Sequence, residues 1–204
     1  MSAKLTVTVV TTDEESLSWH QIWLRAITRP SSSTFKELMA LEDATRNRAL
    51  KWMALVGILR SSLLALAIVT TIVVLDVSLG LSAIPLFVAL AAVGPLLLVL
   101  FLAITAVATH FTARVLGGQG EFDELIFALG AFFAPIAAAN SFLMMIPLLN
   151  LLILPLLLYD LVLRGIAVKT VYAFSWLRTG IAVAVPIGLS FLAFVALALA
   201  AALF

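Results

Sequence analysis

Residues 116–149 read LGGQGEFDELIFALGAFFAPIAAANSFLMMIPLL, and the fold turns on them. Gly117, Gly118 and Gly120 form a polar hinge, Glu121, Asp123 and Glu124 an acidic first turn, and the chain then runs almost uncharged to a reversal at Pro147. An apolar run of about twenty residues is long enough to cross a bilayer as a helix, so this stretch reads as half of a membrane hairpin. Within it Gly130, Ala134, Ala138 and Ser141 recur at helical spacing. That places small side chains in one stripe where a neighbouring helix can come close. The other spans are expected to pack around this one.

The rest of the chain has the same character. Of its 204 residues, 64% are hydrophobic and 11% charged, with a mean hydropathy of +1.21, against about 45–50% apolar and about 25% charged in soluble domains. The expected fold is all-α, a polytopic membrane protein with five transmembrane helices and a cytoplasmic amphipathic N-terminal segment. The length divides into residues 1–50, a cytoplasmic tail with amphipathic helices, and residues 51–204, the five-span domain. A net charge of +1, from 12 basic and 11 acidic residues, leaves no excess to hold nucleic-acid phosphates. Cysteine is absent, which excludes disulfides, thiolate nucleophiles, iron-sulfur ligation and cysteine-zinc sites. Residues 1–50 lack the short apolar core and cleavage site of a signal peptide, so the first span is expected to direct insertion.

Taken in order, Leu5, Val7 and Val9 alternate with polar residues, a strand-like pattern read as a loose tail rather than a paired strand. Ser16 and Ser18 can cap a helix from about Ser18 to Thr28 with Trp19, Ile22, Trp23, Ala26 and Ile27 on one face. That face suits either the headgroup region, with Trp19, Trp23 and Ile27 as membrane-interface residues, or packing on the ends of the spans. Pro30 breaks the helix. Thr34 with Glu37 three residues on has capping-box spacing, which predicts a second helix presenting Phe35, Leu38 and Met39 and running through Arg46, Arg48 and Lys51 into the bilayer.

Five apolar segments follow, at 52–75, 84–109, 125–145, 148–165 and 179–204. Pro95, Pro135, Pro155 and Pro186 lie inside four of them, which predicts kinked helices. Seven basic residues precede the first segment, Arg114 lies between the second and third, and Arg164, Lys169 and Arg178 lie at the fourth-to-fifth connection. The intervening loops on the other side have none. The bias places the N-terminus in the cytoplasm and the C-terminus outside.

No constellation has the spacing of a catalytic or metal site. His20 and His110 stand far apart with no acidic residue or second histidine at helical spacing, and His110 is expected to cap the cytoplasmic end of the second span. The glycines of GGQGEFD lack the third glycine of a dinucleotide loop and the lysine of a phosphate loop. Tyr159-Asp160 with Gly118, Gly120 and Asp123 loosely resembles the two-aspartate pattern of intramembrane aspartyl proteases, but Asp123 sits at a helix start, where a carboxylate complements the dipole. No catalytic residue, cofactor or metal is assigned.

The intramembrane charges are Arg60, Asp160 and Arg164. Arg60 lies about 12 Å along the first span from Trp52, and Asp160 about 7 Å before the end of the fourth at Gly165. A bridge between them is one arrangement. The simpler is an ordinary Asp160–Arg164 pair one turn apart, with Arg60 snorkelling toward the cytoplasmic face. Asn140 and Asn150 are expected to act as interhelical hydrogen-bond glue.

Trp23, the Arg29-Pro30 break, Phe35, the first span, the block LGGQGEFDELIFALGAFFAP and the Ile146-Pro147 turn together resemble the prokaryotic branch of the Yip (Ypt/Rab-interacting protein) domain family, over roughly residues 19–204. The resemblance implies five spans, a cytoplasmic N-terminus and a C-terminus outside. In the eukaryotic branch it implies binding of trafficking GTPases and a part in membrane shaping. This chain departs from that branch in lacking the Asp-Leu-Tyr-Gly-Pro signature, with Tyr159 and Tyr172 its only tyrosines.

The resulting expectation is a non-enzymatic scaffold, assembly factor or accessory subunit in the plasma (inner) membrane of a prokaryote. Its partners would be the lipid bilayer and other integral membrane proteins or a homo-oligomer. A small transporter or channel is the alternative.

Overall fold

The computed structural model describes residues 17–74 and 83–203. They form seven α-helices: α1 (Trp19–Thr28), α2 (Ser32–Met39), α3 (Arg46–Val74), α4 (Ala83–Val115), α5 (Phe122–Leu143), α6 (Ile153–Tyr172) and α7 (Trp176–Leu203), with a 3-10 turn at Pro147–Leu152 before α6. No strand occurs among the described residues. The strand-like pattern at Leu5, Val7 and Val9, and most of the first loop, lie outside them. Among the described residues four stretches are long and apolar enough to cross a membrane: Arg46–Ile72, Phe87–Val115, Phe122–Leu143 and Leu148–Tyr172. In α7, Trp176–Leu189 is a shorter apolar stretch among the described residues.

The helix starts follow local chemistry. Ser18 caps α1, and the Gln21 side chain reaches back to accept from the Ser18 backbone N–H at 2.9 Å. The cap of α2 is Ser31, whose hydroxyl accepts from Thr34 N at 3.1 Å. The sequence reading placed this start at Thr34; Ser31 takes the role because Pro30 already ends the preceding chain and the three serines give an earlier acceptor. Nor does α2 continue into the first span. The chain breaks after Met39, and Thr45 restarts it by accepting from Arg48 N at 3.3 Å. Pro155 falls in the first turn of α6, where a missing N–H costs little, while α4, α5 and α7 run through Pro95, Pro135 and Pro186.

The third span, α5, is the centre. In its most apolar stretch 67% of residues are buried, against 22%, 6% and 22% for the other three long spans, and every residue from 125 to 134 is buried. A helix apolar all round is one enclosed on every side. It is wrapped by α3, α4 and α6, and also by α1 and α2. Phe35 of α2 is fully buried with its ring edge-on to Phe132 at 6.2 Å, and Ile22 and Ala26 of α1 are equally inaccessible. The apolar face of α1 therefore packs on the spans: Trp23 sits between Trp19 and Trp52, Ile27 packs on the core, and Trp19 stays half-exposed.

The backbones of α3 and α4 approach closely. A Cβ on Gly57 would lie 2.4 Å from Pro95 Cα, and one on Gly94 would lie 2.3 Å from Ser61 Cβ. The Ser61 hydroxyl donates to Gly57 O at 2.8 Å and crosses to Ala91 O at 3.2 Å. Gly57→Ala is expected to destabilise the protein by roughly 1–3 kcal/mol, because the obstructing atom is backbone and cannot rotate aside. Gly188→Ala, where a Cβ meets nothing within 4 Å, should leave stability unchanged or slightly raised. Thermal unfolding of both variants in the same detergent checks the contrast.

Candidate functional site

Small residues set the helix register, and the register sets where the charges fall. A Cβ on Gly130 would lie 2.6 Å from Ala49 Cβ, so α3 and α5 touch there. Further along, Arg60 Nη2 lies 3.8 Å from Met144 Sδ. The two helices thus run parallel, and Arg60 comes level with the end of α5 and its turn into α6. Asp160 stands seven residues past Ile153, about 10 Å down α6 from its start. Of the other stripe residues, Ala134 is fully buried, Ala138 packs against the core, and Ser141 is buried with its hydroxyl on Ala137 O of its own helix at 2.7 Å.

Asp160 pairs with Arg164, one helical turn on. Its Oδ2 accepts from Arg164 Nε at 2.7 Å and Nη2 at 2.6 Å, and both side chains are largely buried. The guanidinium also lies 4.2 Å from the centre of the Phe133 ring and 6.0 Å from that of Phe101, a cation–π arrangement strengthened by exclusion of water. Among the described residues no acidic group pairs with Arg60, so the Arg60–Asp160 bridge does not form. The local pair wins because it needs no agreement between two helices.

These charges line cavities. One of about 480 Å³ lies between α3, α4, α5 and α6, with Arg60, Asn140, Asp160 and Arg164 on its wall among apolar side chains. A second, of about 250 Å³, lies between α4, α6 and α7 and is lined by Thr105, Thr109, Asp160, Arg164 and Pro186. The ion pair lines both. Asn140 was expected to tie helices together; instead its Oδ1 is buried with no donor among the described residues, and Asn150 is exposed on the 3-10 turn.

At the other end of the bundle the three glycines have separate tasks. Gly117, at φ +84°, ends α4 with Gly117 N on Arg114 O at 3.0 Å and Gly118 N on Ala113 O at 2.9 Å, a paired closure that requires the left-handed conformation. A Cβ on Gly118 would strike Tyr172 and Phe174, and one on Gly120 would lie 2.4 Å from Val171 O. This turn is seated on the end of α6. His110 is not a cap for its own helix: its Nδ1 is 2.5 Å from Tyr172 Oη, joining α4 to α6, while Arg114 Nε donates to Nε2 at 3.4 Å. Asp123 pairs with Arg46 at 3.5 Å. With Asp123 and Asp160 each held by its own arginine, the two carboxylates share no proton and form no protease dyad. No cluster of three or more histidine and acidic side chains occurs among the described residues.

Two features escaped the sequence reading. The Gly57-x3-Ser61 spacing on the first span is the same small-residue signal that was recognised on the third. The other, Tyr159 Oη donating to Ile27 O and so pinning the end of α1 to α6, has no sequence signal.

Asp160→Ala is expected to destabilise the protein by about 3 kcal/mol, because it strands the buried Arg164 guanidinium. The double variant Asp160→Ala with Arg164→Met should recover most of that loss. Unfolding midpoints of the single and double variants in one detergent check this, and a neutral single variant would show the pair to be dispensable.

A family model described as Yip1 domain matches residues 24–198, from within α1 to within α7. Comparisons with curated proteins and with solved structures give no match.

Proposed function

The chain belongs to the Yip1 domain family, and from that premise we propose that it is a non-enzymatic scaffold, assembly factor or accessory subunit that works by packing against other membrane components. The observation that carries this reading is on α7. Gly180, Ala184 and Gly188 recur every four residues and all are exposed, and a Cβ on either glycine would meet nothing within 4 Å. Gly57, Gly94 and Gly130 are each filled by a neighbour within the chain. An open small-residue stripe beside the apolar groove that Leu161, Val162 and Gly165 of α6 share with it is a surface on which a partner helix can approach closely. In this reading the partner is another integral membrane protein or a second copy of the chain.

Gly180→Leu with Ala184→Leu should therefore reduce recovery of the partner or oligomer from mild detergent by tenfold or more. The unfolding midpoint of the isolated chain should barely move, since surface changes fall within about 0.5 kcal/mol. Unchanged recovery, or recovery of the unaltered chain only as a partnerless monomer, would remove the scaffold reading. The alternative, a small transporter or channel-like protein, draws on the charged wall of the 480 Å³ cavity.

We further propose five crossings by α3 to α7 in a prokaryotic plasma membrane, with the N-terminus cytoplasmic and the C-terminus outside. The distribution of basic residues and the 28-residue length of α7 support it. The cysteine-free sequence makes the test clean. An impermeant maleimide should label Ala202→Cys in intact cells and Glu42→Cys after permeabilisation alone; labelling of both from one side would leave an even number of crossings.

A further inference from the structure

The cavity between α3, α4, α5 and α6 holds an imbalance of charge. Asp160 and Arg164 neutralise each other at 2.6 Å. Arg60 lines the same space with its Nη2 3.8 Å from Met144 Sδ and no acidic partner among the described residues. An arginine held among membrane helices at net +1 is costly unless a counter-anion reaches it. Asn140 stands on the same wall. The unmet group is therefore one cation, in a space of about 480 Å³ whose lining beyond Asn140 and the ion pair is apolar. That volume is in the range of small-molecule sites.

The packing also leaves an entrance. α4 rests on α3, α5 and α7, while α6 rests on α5, α7 and α2. The wall between α4 and α6 is made of Leu97, Phe101 and Leu157, each about half-exposed or more. On helices that span a bilayer, side chains so exposed face lipid, so the cavity opens sideways toward acyl chains.

We propose that this cavity binds an anionic phospholipid: the phosphate pairs with Arg60, and an acyl chain leaves between Leu97, Phe101 and Leu157. A free phosphate offers the same anion chemistry but has nothing to fill the apolar lining.

The experiment uses the full chain, purified in detergent and delipidated, with phosphatidylglycerol, phosphatidylcholine or inorganic phosphate added. Binding is read by native mass spectrometry and by the unfolding midpoint. Phosphatidylglycerol is expected to be retained at least tenfold more than phosphatidylcholine and to raise the midpoint, with inorganic phosphate doing neither. Arg60→Gln should abolish the preference and Arg60→Lys should keep most of it. If Arg60→Gln fails to fold, Ala137→Leu fills the same cavity with Arg60 intact and should abolish retention equally. Equal retention of the two lipids, a preference untouched by Arg60→Gln or Ala137→Leu, or a midpoint shift reproduced by inorganic phosphate would each overturn the proposal.

Discussion

Between Ala49 and Gly130 there is no room for a methyl group, and the arrangement of the bundle depends on that contact. Lipid is as apolar as leucine, so burying a leucine between membrane helices gains little over leaving it in the bilayer. Helix association there rests on van der Waals contact and hydrogen bonds at short range. The glycines at 57, 94 and 130 supply the short range. They fix α3 against α4 on one side and against α5 on the other, and so fix which side chains α5 meets as it passes through the middle.

Enclosure of α5 explains why the N-terminal helices belong to the bundle. Ile22, Ala26, Phe35 and Leu38 are as inaccessible as any residue of the spans. Arg48 reaches Leu17 O at 2.8 Å and Tyr159 holds Ile27 O, so both ends of α1 are tied by side chains from other helices. The same register places the charges. With Arg60 at the end of α5 and Asp160 further down α6, the arginine that finds the aspartate is the one on its own helix, and Arg60 is left facing the cavity.

Much of this was legible in the residues. Apolar runs, serines before helices and prolines after them report local chemistry, which is why four of the spans, the start of α1 and the central place of 125–145 could be read directly. The Ser31 cap was misplaced because four hydroxyl residues in a row offer several acceptors and only the fold selects one. The offset between α3 and α5 is set by Ala49 meeting Gly130, a contact between residues far apart in the chain. The His110–Tyr172 bond was hidden for the same reason. Nothing near either residue names the other.

The central claim is that α5 is the enclosed core and that α1 and α2 are folded onto it rather than resting independently at a surface. Hydrogen exchange over residues 18–39, measured in lipid nanodiscs for the unaltered chain and for Phe132→Ala, tests it most directly. The account predicts that these amides exchange slowly in the unaltered chain and lose protection when the Phe132 ring that Phe35 packs against is removed. Exchange of α1 and α2 as fast as an unpacked segment, or protection that Phe132→Ala leaves unchanged, would contradict it.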